Sequence, residues 1–191
     1  MLTVSTLKRN YHHGNLRAVL IDSGLLVIAE KGVRALTLRE IGTRAGVSRT
    51  AAYRHFSSKA DLLFAICEAG FVQFGAALEQ AKVAAAPSFR ERMLAMGMAY
   101  VRFAGEHPAY YEVMFQNEGE HVRKGEAAAR GFAILEKTIR EGQESGDVMA
   151  GNSNEIAELI WSVVHGISSL GMDRPGFTEF CLDALLRGIR P

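Results

Sequence analysis

The sequence predicts an all-α fold, and three observations carry that expectation. Apolar residues recur at intervals of three and four along nearly the whole chain, alternating β-branched runs are absent, and capping residues stand just ahead of the periodic stretches. The layout is three short helices, a long joining helix and then a helical bundle. With 191 residues, the chain has room for two unequal units, expected at 1–62, with a basic arm over 1–14, and at 63–191.

Asn15 is expected to cap a first helix in which Leu16, Val19, Leu20, Gly24, Val27 and Ile28 share a face, with Gly32 stopping it. Thr37 caps a second, Leu38 to Ala45, with Ile41 and Ala45 turned inward, and Gly46 ends it. Ser48 caps a third, Arg49 to Phe56. Ser57 or Ser58 opens a fourth reaching about Val83, carrying Leu62, Leu63, Ile66, Phe71 and Phe74. Beyond Pro87, Ser88 caps a helix with Phe89, Met93, Met96, Tyr100 and Phe103 on one face. Pro108 suits the first position of a short helix through Phe115, and 116–120 reads as a loop. Helices then follow from about Val122 to Glu144, Asn154 to Met172 and Gly176 to Ile189.

Composition narrows the functional classes. Apolar residues make up 48% and charged residues 23%, the balance of a globular protein. The longest uninterrupted apolar runs, such as 24–29, fall short of a membrane span, and Lys8 and Arg9 lead into polar residues rather than a signal-peptide core. A cytoplasmic protein with no membrane partner is expected. Cys67 and Cys181 are isolated and read as buried small apolar side chains, so neither a disulfide framework nor a metal site is expected.

Catalytic signatures are missing too. Residues 166–171 lack the spacing of a nucleophile elbow, no phosphate-binding loop or HExxH occurs, and the adjacent His12 and His13 cannot share a helical face. No enzyme, catalytic residue or cofactor is expected.

Charge is unevenly distributed. Residues 1–61 hold ten Lys and Arg against four acids, a net of +6, which leaves −5 for the remainder of a chain whose total is +1. A polyanion partner is implied for the first part only, although a merely solvated basic surface would give the same count.

The helices between Asn15 and Phe56 have helix-turn-helix proportions. On the third, Ala52 and Phe56 share one face and Thr50, Tyr53 and Arg54 the opposite one, with Arg49 at its flank. An outer face rich in Arg and bearing an aromatic suits a DNA major groove, and the helix start at Ser48 suits a phosphate, as does Lys59. Lys8 and Arg9 read equally as a minor-groove arm or a solvated tail.

The stretch 37–63 resembles the signature of the tetracycline repressor family in Ile41, Ala45-Gly46-Val47-Ser48, Tyr53, His55-Phe56, Lys59 and Leu62. That resemblance implies a homodimer on a double-stranded DNA operator and a helical C-terminal domain that binds a small-molecule inducer. By position it implies base contacts from Arg49, Thr50 and Arg54, and phosphate contacts from Thr37, Arg39, Tyr53, His55 and Lys59. Gly42 stands where the family usually has Ala. The segments 161–166 (Trp-Ser-Val-Val-His-Gly) and 11–16 (Tyr-His-His-Gly-Asn-Leu) resemble a subgroup with a Trp-x-x-x-His-Gly signature.

In the second part, Trp161 and His165 lie one turn apart, with Ile156, Ile160, Val163 and Ile167 on the other side. One face is expected to form a dimer seam, with Ile160, Val163 and Ile167 needing a partner, and the other a ligand pocket. Six of seven Met fall in this part. The expected pocket comprises Met96, Tyr100, Phe103, Tyr110, Met114, Trp161 and His165, for a mainly apolar ligand. Ordinary core packing explains Trp161 and His165 equally well, and for the Met residues and their aromatic neighbours core filling is the commoner explanation. A repressor released by a ligand, a constitutive DNA-binding protein and an enzyme with a fused DNA module remain the three readings, separated by whether a ligand releases DNA and whether any substrate turns over.

Overall fold

The structure is a computed structural model that describes residues 15–115 and 125–191, all of whose regular elements are helical. The chain divides into two compact units between Leu62 and Leu63.

The first unit opens with α1 (Leu16–Lys31), started by Asn15, whose Oδ1 accepts from the Ala18 N–H at 3.2 Å. Gly32 ends it, and a single 3-10 turn (Val33–Ala35) leads to α2 (Leu38–Arg44), whose start Thr37 caps by accepting from the Glu40 N–H. Ser48 does the same for α3 (Arg49–His55), accepting from the Ala51 N–H. Each such cap contributes about 1 kcal/mol, which matters for helices of seven residues that are marginal alone. What holds them is burial: Leu20, Val27, Leu36, Ile41, Ala52, Phe56 and Leu62 are all at or below 1% exposure. Truncating Phe56 alone would cost roughly 3–5 kcal/mol.

Between α2 and α3 the chain must turn within four residues, 45–48. Gly46 takes φ 69°, while its N–H donates to the Thr43 carbonyl and the Val47 N–H donates to the Gly42 carbonyl at 2.9 Å. This is a Schellman closure, which satisfies two carbonyls at the end of α2 and requires a residue at ease with positive φ.

α4 (Lys59–Ala84) runs through the division between the units. By length and composition it could cross a membrane, a property missed by counting unbroken apolar runs. Yet 56% of its most apolar window is buried inside the protein, as in a core helix.

The second unit continues with α5 (Phe89–Glu106), α6 (Pro108–Phe115), α7 (Glu126–Glu144), α8 (Ser153–Ser169) and α9 (Phe177–Gly188). α5 is central, packing on α6, α7, α8 and α9 through Phe89, Met93, Met96, Tyr100 and Phe103. The expected loop at 116–120, the basic arm at 1–14 and the predicted start of α7 at Val122 lie outside the described residues. α8 ends three residues earlier than Met172. Gly171 turns to φ 63°, its N–H reaches the Ser168 carbonyl, and the Met172 N–H reaches the Ile167 carbonyl. The same closure that ends α2 thus ends α8. Cys67 is buried as expected, whereas Cys181 is only half-buried.

Candidate functional site

On α3, Ala52 and Phe56 point into the first unit's core, and Thr50, Arg54 and His55 are exposed, as is Tyr53 at 45%. Thr37, Arg39, Ser48 and Arg49 are exposed as well, and Lys59 is half-buried. The sequence-predicted DNA residues are therefore available on the surface of one unit.

The basic residues of this unit do two different jobs. Arg44 grips Glu30 through both terminal nitrogens, and Lys31 bonds Glu40 at 2.8 Å; these hydrogen bonds hold both carboxyls below their ordinary range. Arg17 lies over the Phe56 ring, 5.1 Å from its centre. Those three side chains tie helices together. Among the described residues, Arg39, Arg49 and Arg54 form no ion pair, and Arg49 instead covers the Tyr53 ring at 5.2 Å. The Lys59 ammonium donates to the Arg34 carbonyl at 3.4 Å, which steadies it at the head of α4. A cationic face around α3 remains after internal pairing is accounted for.

The second unit contains a cavity of about 580 Å³. Its walls come from α4 (Phe71, Phe74, Leu78), α5 (Met93, Met96, Tyr100), α7 (Phe132, Leu135) and α8 (Glu158, Trp161), with Phe115 at the end of α6. Of the residues expected to form a pocket, Met96, Tyr100 and Trp161 line it. Phe103, Tyr110 and Met114 do not: Phe103 packs edge-on against Phe74, the Tyr110 hydroxyl accepts from Gln73 Nε2 at 3.0 Å, and Met114 fills the space left by the missing side chain of Gly70. The α4 and α7 walls went unnoticed in the sequence, although Phe132 and Leu135 sit at helical spacing on a strongly amphipathic helix.

His165 stands behind the wall rather than in it. Its ring stacks on Trp161 with centroids 4.8 Å apart, and its Nδ1 lies 2.9 Å from the Tyr100 hydroxyl and 3.0 Å from that of Tyr111. Nε2 faces the Ser169 hydroxyl at 3.3 Å, which itself contacts Tyr111. Burial, more than the neighbouring Tyr111, pushes the Tyr100 phenol far above its ordinary pKa, so it is neutral at any physiological pH. Tyr100 thus lines the cavity with its ring, while its hydroxyl is held by His165 behind the wall.

The expected seam needs correction also. Ile160 and Ile167 are buried within their own chain, and Val163 is half-buried. The apolar side chains left uncovered on the last helices are Leu159 at 49%, Phe180 at 64% and, just past α8, Leu170 at 73%.

A small helix-turn-helix unit with a cationic face around α3, followed by a helical unit with a cavity, is the layout of a DNA-binding regulator. Residues 20–66 match the family model for bacterial regulatory proteins of the tetR family, and 93–187 that for a tetracyclin repressor-like C-terminal domain. A solved structure of a protein of unknown function from Rhodococcus sp. RHA1 aligns with a TM-score of 0.85 and 31% identity, over 96% of this chain and 100% of that one. YvkB of Bacillus subtilis (strain 168), an uncharacterized HTH-type transcriptional regulator, is 24% identical over 157 residues, 77% of this chain and 78% of its own. FadR of Bacillus subtilis in complex with stearoyl-CoA shares the fold, with a TM-score of 0.74 and 19% identity over 91% of this chain and 100% of its own. The chain belongs to the tetR family of bacterial transcriptional regulators.

Proposed function

We propose that this regulator is a homodimeric, cytoplasmic repressor that leaves a palindromic operator when a small, mainly apolar ligand enters the cavity of its second unit. The observation that carries the reading is the division of labour among basic residues: Arg39, Arg49 and Arg54 are spared from internal ion pairs beside an exposed α3. Arg49, Thr50 and Arg54 are assigned to base edges. Thr37, Arg39, Ser48, Tyr53, His55 and Lys59 are assigned to phosphates. Residues 1–62 are the reader and 63–191 the regulatory and dimerising part. The pairing of Trp161 with His165, followed by Gly166, supports membership of the Trp-x-x-x-His-Gly subgroup.

Dimerisation is assigned to α8 and α9 through Leu159, Leu170 and Phe180, since apolar side chains this exposed gain by meeting a second copy. Half-sites about 34–36 Å apart follow from two recognition helices on one face of the duplex. FadR binds stearoyl-CoA in the same fold, which supports a ligand-responsive second unit here.

Selection of bound fragments from random DNA gives the operator on which variants are compared. Lys59→Ala should weaken all sequences alike and lower the salt slope by about one. Arg54→Ala should relax preference at particular base pairs, by about 1–3 kcal/mol. Wild-type affinity and salt dependence in both variants would remove the proposed DNA face.

A further inference from the structure

We infer that Tyr53 is a positioning residue for base reading, its ring holding the Arg49 guanidinium in place on the face of α3 that meets DNA. The inference rests on the proposed DNA face and gives Tyr53, assigned there to a phosphate, a second part in sequence preference. The Arg49 guanidinium carbon lies over the Tyr53 ring, 5.2 Å from its centre, inside the reach of about 6 Å at which an aromatic face attracts a cation. Arg49 and Tyr53 are four residues apart on α3 and so share one side of the helix. Both are exposed, Tyr53 at 45%, which places the pair on the surface of the first unit. Arg17 makes a similar contact with Phe56, but that ring is 1% exposed and the contact braces the core.

Helix stability does not account for Arg49. It is the first residue of α3, where free N–H groups make the helix end positive and a cation is unfavourable. Arg44 shows what a carboxylate partner does to an arginine: Glu30 occupies both of its terminal nitrogens. A ring steadies the charge without accepting from those nitrogens in that way, so the Arg49 donors stay open to a base edge, and reading a guanine takes two of them side by side. A long side chain must be ordered when it docks, and the ring does part of that ordering before DNA arrives. Water leaves the contact on docking, which strengthens it further. The phenol hydroxyl plays no part in holding the guanidinium, so ring and hydroxyl can be separated by substitution.

The test uses the full chain, the selected operator and its single-base-pair variants. Preference is read as the ratio of one sample's affinities for two DNAs, so any inactive fraction cancels. Arg49→Ala identifies the base pair that Arg49 reads. At that pair Tyr53→Leu should lower the preference about three- to tenfold, and Tyr53→Phe should keep it while weakening all sequences alike. In the Arg49→Ala background Tyr53→Leu should lower it no further. An undiminished preference in Tyr53→Leu, the same loss in Tyr53→Phe, or a further loss without Arg49 overturns the inference. If Arg54→Ala relaxes a base pair and Arg49→Ala none, the DNA face stands and the inference alone falls. If neither arginine nor Lys59 affects binding, both fall.

Discussion

His165 shows how a residue can matter to a site without facing it. Both ring nitrogens lie within hydrogen-bonding distance of hydroxyls from Tyr100, Tyr111 and Ser169, so its contribution to ligand recognition passes through Tyr100. Tyr100→Phe should weaken a ligand packed on that ring by about 0.5–1.5 kcal/mol and leave ligand-free operator affinity unchanged. Titration of Trp161 emission against band-shift measurements separates the two effects; an equal loss in both would make Tyr100 a purely structural residue. The sequence marked Trp161 and His165 by their spacing and Tyr100 by its place on the α5 stripe. It could not show that Phe103 and Tyr110 point elsewhere, because a buried helix presents apolar residues all round and periodicity cannot tell wall from core. Nor does the sequence separate Arg44 from Arg49. That distinction needs the distance to Glu30, fourteen residues away in the chain.

At the level of elements, helix boundaries were legible wherever a cap residue preceded an apolar stripe, as at Asn15, Thr37, Ser48 and Ser88. The end of α8 was missed because Gly171 sits inside a run that stays apolar through Met172, and only its positive φ reveals the stop. Two glycines of the reader make opposite predictions. A Cβ on Gly42 would lie 3.6 Å from that of Ala52, an ordinary contact in a helix interior, so Gly42→Ala should stabilise the unit by about 0.5–1 kcal/mol. Gly46→Ala should destabilise it by roughly 1–2 kcal/mol, since φ of 69° is costly for any other residue. Chemical denaturation followed by circular dichroism measures both, and a shared sign would refute the account of the turn. In the second unit, Arg90 clamps α5 to α9 through two bonds to Asp183, 2.8 and 2.7 Å long, and holds that carboxyl below its ordinary 3.8. A depressed carboxyl stabilises the fold above its unfolded value and stops doing so as pH falls through the folded one. Asp183→Asn should therefore melt slightly below wild type at pH 7, and the difference should vanish below the folded carboxyl pKa. Melting curves across that range check the sign.

For the whole molecule, the exposed Leu170 and Phe180 predict that Leu170→Asp or Phe180→Asp gives a monomer in sedimentation and a large loss of operator affinity; an unaltered dimer in both would place the seam elsewhere. The polar cluster behind the cavity has a bearing on how such a dimer is titrated. It begins at Tyr100 in the wall and ends at Ser169, the last residue of α8, next to the uncovered Leu170. A ligand that shifts the Tyr100 ring thus acts on hydrogen bonds one residue from the place where two copies would meet. Because coupling between two binding events is reciprocal, whatever the ligand does to self-association, self-association does to the ligand. The half-saturating dose should then drift with protein concentration in the range where monomer and dimer coexist, and become constant well above it. A dose fixed across a hundredfold dilution through that range would mean that the two events are independent.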